Sequence, residues 1–340
     1  MNKHTIIGFD IAKKVFHLMK IDRSGKEIQR KKLRRSQVLR YFAQQPAAHI
    51  AMEACASAHY WARELRALGH SVELLPAQHV KAYARGQKND YNDARAIAEA
   101  CLHGSIRPVV VKTVAQQDDQ AIHRCRQQLI RERTALCNQL RGLVGEYGIV
   151  IPRGVASVRR RFVAILESEA LTPRLKTVLQ RQYQRLLALD EELAWYDQRL
   201  EQLANEDPVC QRLCASPGYG PVVSTAFKNW LGDGSQFRCG REASAALGVV
   251  PRQHTSGDKP LLLGITKCGD RYVRALMIHG ARSVVRAAAH KDDALSQWIN
   301  RLVARRGYNN AAVALANKMI RIGWVIVSRG ESYRPRAVSM

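Results

Sequence analysis

The feature that most constrains the fold is the order of short apolar segments in the first 113 residues. The apolar run that ends at Asp10 predicts a buried strand, and a Ser24-Gly25 turn separates the next two predicted strands. The predicted strands are 5–10, 15–22, 26–33, 49–52 and 71–75, and the predicted helices are 36–44, 58–68 and 90–102. This order predicts a mixed α/β sheet flanked by helices.

From about residue 114 the apolar pattern changes to a seven-residue repeat. One series is Ile122, Leu129, Leu136 and Leu143, and the other is Leu179, Leu186, Leu193 and Leu200. A turn at 151–154 separates them. Each series spans only about three heptads, so two long helices are predicted, and they fit a coiled-coil arm and ordinary bundle helices equally well.

A boundary at Asp207-Pro208 precedes a mostly helical stretch with glycine-rich loops. The sequence therefore predicts α/β plus α architecture in three domains and a tail. The predicted limits are 1–113 for the sheet domain, 114–206 for the helical arm, 207–330 for the C-terminal domain and 331–340 for a disordered tail.

The charge of the chain points to a polyanionic partner. Lys and Arg total 54 against 29 Asp and Glu, which gives a net charge of +25. Nucleic acid neutralises such a charge through phosphate contacts. The eight cysteines contain no CxxC pair and are expected to be reduced thiols. Histidines such as His17, His49, His59 and His279 show no metal-ligand spacing, so we interpret these histidines as structural. Without a signal peptide or an uninterrupted apolar run of about 18 residues, we expect a cytoplasmic protein with no membrane contact.

Four carboxylates give the strongest chemical signal. Asp10 and Glu53 end predicted strands, and Asp90 and Asp93 share one face at the start of a predicted helix. Carboxylates gathered at strand ends repel one another unless divalent cations such as Mg²⁺ bind between them, and such cations serve phosphoryl transfer. The alternative is structural, since Asp90 would also suit a helix cap and Asp93 the helix dipole.

Three segments carry a resemblance to a known family: residues 8–13 (GFDIAK), 52–54 (MEA) and 88–94 (KNDYNDA). The chain resembles the DEDD transposases of the insertion-sequence-110 family, in particular the subgroup typified by insertion sequence 1111. The resemblance implies a RuvC-like domain of the RNase H superfamily, with Asp10, Glu53, Asp90 and Asp93 as ligands of Mg²⁺.

Two glycine-rich segments near the C-terminus extend the resemblance. Residues 213–221 resemble a helix-hairpin-helix, in which Gly218 and Gly220 would let backbone amides approach a phosphate; the alternative is a plain Gly-Pro turn. Residues 247–257 match the segment that carries a nucleophilic serine in the family, and only Ser256 fits it. From the residues alone, without the resemblance, Ser256 on this predicted loop would be interpreted as an ordinary turn serine. His254, Arg252, Lys267 and a metal-held phosphate are candidate activators.

Basic side chains follow this segment. Asp270 is predicted to cap the next helix, and Lys267, Arg271 and Arg274 are predicted to face a DNA backbone, with a solvated basic face as the alternative. The predicted nucleic-acid contacts are Gly218, Gly220, Arg252, Lys267, Arg271 and Arg274.

The resemblance implies an enzyme that excises and inserts a mobile element. In the family, serine forms a covalent phosphoserine link with DNA, and a structured non-coding bridge RNA pairs with element ends and target. It also implies a homo-oligomer, either a dimer or a tetramer, in which the acids and the serine of one active site come from different protomers. The expected location is the bacterial cytoplasm, at the nucleoid. Two alternatives are a RuvC-like Mg²⁺-dependent structure-selective nuclease that uses water, and a non-catalytic nucleic-acid-binding protein.

Overall fold

The computed structural model describes residues 5–87, 89–104, 106–256 and 259–335, with the backbone alone at 256, 259 and 260. The chain divides into two compact units, Met1–Gln117 and Asp118–Met340. Each unit has its own apolar core.

The first unit is a five-stranded sheet in the order β3-β2-β1-β4-β5. β1 pairs antiparallel with β2 and parallel with β4, and β4 pairs parallel with β5. The strands are β1 (Thr5–Asp10), β2 (Val15–Asp22), β3 (Glu27–Arg34), β4 (His49–Glu53) and β5 (Ser71–Leu75). The helices are α1 (Val38–Ala43), α2 (Ala58–Ala67), α3 (Ala77–Val80) and α4 (Asp90–Leu102). The mixed α/β arrangement predicted from the sequence is confirmed, with α3 as an additional short helix.

Helix α4 lies directly on the first strand. Small residues make this contact possible: Ala94 and Ala98 of α4 are fully buried with Met19 and Ile21 of β2. A Cβ built on Gly8 would lie 2.0 Å from the carbonyl oxygen of Ala94, closer than any real contact. Glycine at this position therefore sets the distance between α4 and β1.

Three helices follow, where two were predicted. They are α5 (Val114–Gly145), α6 (Val155–Glu167) and α7 (Pro173–Glu206). The two long helices are as predicted, but Val158, Phe162 and Ile165 of α6 pack into one cluster with leucines of α5 and α7. The sequence prediction missed α6 because its apolar residues flank a run of three arginines. The choice between coiled-coil arm and bundle, and the three-domain division, stay predictions.

The remainder of the second unit is mostly helical, as predicted. Its helices are α8 (Pro208–Cys214), α9 (Pro221–Leu231), α10 (Gly240–Ala246), α11 (Arg271–Ala288), α12 (Ala294–Arg306) and α13 (Tyr308–Arg329). By length and composition α13 could cross a membrane, but half of its apolar stretch is buried inside the protein. Met319 and Trp324 of α13 belong to the main core, so α13 serves as a core helix. The tryptophans 230 and 298 pack against the same core.

The segment that carries Ser256 is a strand and not the predicted loop. β6 (Pro251–Ser256) pairs antiparallel with β7 (Lys259–Ile265), and the intervening residues 257–258 lie outside the described part. Residues 251–255 are exposed, so β6 lacks the alternating buried positions by which strands are recognised. In the predicted tail, 331–335 have no regular structure, Tyr333 packs against the core, and 336–340 lie outside the described residues.

The close contact between α4 and β1 predicts a steric effect of Gly8→Ala. The added methyl group has to displace α4, which we expect to cost about 1–3 kcal/mol of the free energy of unfolding. Gly142→Ala is the control, because a Cβ there meets nothing within 4 Å and lies in helix α5, where alanine is favoured. Thermal unfolding of the two variants decides: equal melting temperatures would contradict the packing argument.

Candidate active site

Two of the four predicted carboxylates lie at one edge of the sheet. Asp10 ends β1 and Glu53 ends β4, and these strands are parallel neighbours in which Phe9 pairs with Met52. The next residue of each strand is therefore an acid at the same edge, where sites form in α/β folds.

The other two carboxylates lie in the first turn of α4. Asp90 and Asp93 both belong to this turn, while the preceding Asn89 caps the helix, its side chain accepting a hydrogen bond from the Tyr91 amide at 2.9 Å. Asp90 is thus not the capping residue, which removes one structural explanation of this acid.

The pKa values indicate that the four acids are close together. The pKa of Asp10 is raised from 3.8 to about 6, first by burial and then by the negative charges of Asp93, Asp90 and Glu53 in that order. The pKa of Glu53 is also raised, first by burial and then by Asp93. Strand ends and helix start therefore form one acidic cluster.

His17 is a member of this cluster that the sequence interpretation treated as structural. It lies opposite Asp10 in the β1–β2 pairing, and its side chain is only 8% exposed. Its Nδ1 lies 3.3 Å from Oδ2 of Asp90, yet no hydrogen bond reaches this atom from any residue that the structure describes. Donor atoms of Asp10, His17 and Asp90 lie within 4.8 Å of one another.

The donor set fits a divalent cation. Carboxylate oxygens suit Mg²⁺, and a mixture of oxygens with one imidazole suits Mn²⁺ as well. A buried nitrogen without a hydrogen bond and a carboxyl group with a raised pKa both gain from a bound cation. Asp10, Glu53, Asp90 and Asp93 could hold this ion, with His17 beside them.

Comparison with known proteins identifies the family. Residues 7–149 match the DEDD transposase domain of the IS110 family, and 210–297 match the transposase domain of the IS116/IS110/IS902 family. A probable family 20 transposase of Pseudomonas aeruginosa is 45% identical, covering 97% of this chain and 98% of the relative. The chain belongs to the IS110 family of transposases. The family predicted from the sequence is confirmed.

Two further relatives place the transposase within this family. The transposase for insertion sequence element IS1111A of Coxiella burnetii is 44% identical over 97% of this chain and 91% of its own length. The transposase for element IS1328 of Yersinia enterocolitica is 36% identical over 96% of this chain and 97% of its own length. Each likeness runs over nearly the full length, so both units belong to the same type of transposase, which acts on DNA.

The second unit of the transposase carries the remaining predicted site residues. Ser256 is the last residue of β6, and its backbone pairs with Lys259. Arg252 and His254 of the same strand are exposed, as are Lys267 and Arg271. Asp270 caps α11 as predicted, accepting hydrogen bonds from the amides of Tyr272 and Val273.

Two of the predicted phosphate contacts have structural roles in the transposase. A Cβ on Gly218 would lie 2.6 Å from Cε of Met319, so this glycine permits close packing, whereas Gly220 at the start of α9 is open. Arg274 is buried and donates hydrogen bonds to the carbonyl oxygens of Leu247 and Cys268. Because its guanidinium is used by these two carbonyl groups, the prediction that Arg274 faces a DNA backbone is wrong.

The raised pKa of Asp10 predicts how cation binding depends on pH. Between the ordinary value of 3.8 and about 6, the folded protein holds a proton that the unfolded chain has lost, so the cation-free protein loses stability as pH rises through this range. A cation needs the carboxylate, so Mg²⁺ should raise the melting temperature more at about pH 8 than at about pH 5.

The measurement is thermal unfolding with and without Mg²⁺ at both pH values. Asp10→Asn should lose most of the increment, and Asp118→Asn, an exposed acid outside the cluster, should keep it. Equal increments at both pH values in the unmodified protein would show that Asp10 does not take part in cation binding.

Proposed function

We propose that this transposase cleaves and rejoins DNA with a divalent cation, Mg²⁺, held by Asp10, Glu53, Asp90 and Asp93, and with Ser256 as the nucleophile. The observation that carries the proposal is the cluster of four carboxylates at one sheet edge, where the other three raise the pKa of Asp10. When bound, the cation supplies Lewis-acid stabilisation of the charge that develops on phosphate oxygens.

The chemistry assigned to the serine is a transesterification. The Ser256 oxygen forms a bond to phosphorus and gives up its proton, while the bond to a deoxyribose oxygen breaks and that oxygen takes a proton. The phosphoserine keeps the energy of the broken phosphodiester bond, so strands can be rejoined without ATP. Three residues around the hairpin are candidates to accept the serine proton or to stabilise the developing negative charge. They are His254, Arg252 and Lys267, all of which are exposed.

His17 is proposed as a positioning residue for Asp90. Its Nδ1 lies 3.3 Å from the Asp90 carboxylate, and its ring packs edge-on against Tyr91. An imidazole fixed in this way by strand and helix restricts the rotamers of an acid that is otherwise 64% exposed.

The fold of the first unit supports a RuvC-like assignment. Its central strand β1 lies between an antiparallel and a parallel neighbour, with acids after β1, after β4 and at the start of α4. We propose that the unit belongs to this branch of the RNase H superfamily.

Positive charge supports the proposed DNA and RNA partners. The net charge of +25 suits binding of phosphates, for which we propose Gly220, Arg252, Lys267 and Arg271, with Gly218 shaping the turn. We further propose that a bridge RNA selects element ends and target by base pairing, which leaves sequence readout to the RNA. Assembly as a dimer or tetramer in the cytoplasm, at the nucleoid, belongs to the same proposal.

The acids provide the first test. Asp10→Ala, Glu53→Ala, Asp90→Ala and Asp93→Ala should abolish Mg²⁺-dependent strand cleavage while DNA binding stays intact, because removing a carboxylate raises the positive charge. Asp118→Ala makes the same change of charge outside the cluster and should cleave normally. Cleavage at the wild-type rate by Asp10→Ala would reject the cation site. Loss of cleavage with Asp118→Ala would show that the acid variants lose cleavage through the change of net charge alone.

Ser256→Ala separates a serine recombinase from a nuclease that uses water. Residues 251–255 and 261–264 of this hairpin are exposed, and surface substitutions usually change the free energy of unfolding by no more than about 0.5 kcal/mol, so the variant should fold. It should lose strand exchange and the covalent protein–DNA complex seen on denaturing gels, whereas Thr255→Ala should keep both. Unimpaired cleavage by Ser256→Ala, or phosphate mapped to another residue by mass spectrometry, would assign the water-using mechanism or another nucleophile.

If a guide RNA selects the sites, recombination should be sensitive to ribonuclease. The purified transposase should retain cellular RNA with strongly salt-dependent affinity, and ribonuclease treatment should abolish site-specific recombination, which the added RNA should restore. Full site-specific recombination by RNA-free protein would contradict the guided mechanism. It would not bear on the proposed roles of the acids and Ser256 in cleavage.

A further inference from the structure

A second cluster of metal-ligating side chains lies on the sheet of the first unit, away from the acids. It consists of His49 at the start of β4, Glu73 in β5 and Cys101 in the last turn of α4. His49 and Glu53 are the two ends of the same strand, about 13 Å apart at roughly 3.3 Å per residue. The second cluster is therefore separate from the proposed Mg²⁺ site.

The donor groups of the three side chains form a compact triangle, with donor atoms within 4.8 Å of one another. Nε2 of His49 lies 3.3 Å from Sγ of Cys101 and 3.5 Å from Oε1 of Glu73. Sγ of Cys101 lies 3.8 Å from Oε2 of Glu73. In tetrahedral zinc sites the metal–ligand distances of about 2.0–2.3 Å place nitrogen, sulfur and oxygen donors roughly 3.3–3.6 Å apart. The observed separations of 3.3–3.8 Å lie near these values. The two that involve Glu73 are made by different oxygens of its carboxylate, so one oxygen has to turn toward both partners to hold such an ion.

Ser71 orients the imidazole toward this triangle. Its Oγ lies 3.3 Å from Nδ1 of His49, on the neighbouring strand and directly opposite in the pairing. When the hydroxyl accepts the Nδ1 proton, the lone pair of Nε2 is directed at the sulfur and the carboxylate. A hydrogen bond of this kind on the second ring nitrogen is typical of metal-binding histidines.

The partial exposure of the site fits the same interpretation, and the pKa of Cys101 argues against another role. The side chains of His49 and Glu73 are 28% and 37% exposed, so an ion and a water molecule as fourth ligand can enter. Burial, followed by the charge of Glu73, raises the pKa of Cys101 to about 12. A raised pKa argues against an activated cysteine nucleophile, which needs a lowered one.

We propose that His49, Glu73 and Cys101 bind one zinc ion. On binding, the Cys101 thiol releases its proton to solvent and the sulfur forms a bond to the metal, while the metal gives up water molecules; no oxidant or reductant takes part. A donor set of one nitrogen, one sulfur and one carboxylate oxygen suits Zn²⁺ and not Mg²⁺, which prefers oxygen alone.

The site has a structural consequence for the acids. Zinc would fasten the C-terminal end of α4 to β4 and β5, and the N-terminal end of the same helix carries Asp90 and Asp93. A fixed helix holds these two acids in place over the sheet edge. The zinc ion is thus proposed to stabilise the first unit without touching the reacting DNA.

Metal binding is tested on the full-length protein after removal of metals with a chelator. Titration with Zn²⁺, followed by dialysis and elemental analysis, should leave one equivalent of zinc. Co²⁺ in its place should give a near-ultraviolet thiolate-to-cobalt absorption band, which oxygen ligands at the acidic cluster cannot produce. Cys101→Ser should lose the zinc equivalent and the band, and Ser71→Ala should bind about 10- to 100-fold more weakly.

Cys239→Ser is the matched control, since this cysteine is exposed and lies in the second unit, and it should keep both signals. Circular dichroism tests whether Cys101→Ser is folded. In the unmodified protein, bound Zn²⁺ should slow the alkylation of Cys101, which is measured by peptide mass spectrometry. Absence of the cobalt band, or zinc and band unchanged in Cys101→Ser, overturns the proposal. Neither result affects the Mg²⁺ site, whose test is cleavage by the acid variants.

Discussion

The close contact of helix α4 with strand β1 is the interaction on which the proposed chemistry of the first unit depends. It requires a residue without a side chain at Gly8, where even a methyl group would meet the Ala94 carbonyl oxygen. The contact brings the first turn of α4, with Asp90 and Asp93, to the strand ends that carry Asp10 and Glu53. Backbone packing, and not attraction between the side chains, thus assembles four like charges.

Assembly of like charges has an electrostatic cost that the fold itself does not remove. The raised pKa of Asp10 is the measure of this cost, since burial and three neighbouring carboxylates all disfavour its charged form. A structural network would be expected to pair these acids with nearby cations or hydrogen-bond donors. The mutual repulsion of the acids instead favours a bound cation, which we propose acts on phosphates. The buried Nδ1 of His17 fits this proposal, because it lies 3.3 Å from the Asp90 carboxylate and makes no hydrogen bond within the described part of the chain.

The sequence predicted those parts of the structure that depend on neighbouring residues in the chain. The order of strands and helices along the first unit follows from apolar runs, and the choice of the four acids follows from strand ends and the spacing of Asp90 and Asp93. His17 was missed because its place opposite Asp10 depends on the register of the β1–β2 pairing. His49, Glu73 and Cys101 come from three elements without a common motif, and Arg274 looks exposed by composition but is buried beneath two loops. Such features depend on tertiary packing, which one sequence does not show.

The central claim is that packing of α4 on β1 builds a site for a divalent cation between the carboxylates. The most direct measurement is anomalous diffraction from crystals of the transposase grown with Mn²⁺, an ion that replaces Mg²⁺ and scatters anomalously. The account predicts a peak at coordination distance, about 2 Å, from oxygens of Asp10, Glu53 and an acid of α4. A well-ordered acidic cluster without such a peak, at a saturating concentration of Mn²⁺ and about pH 8, would contradict it.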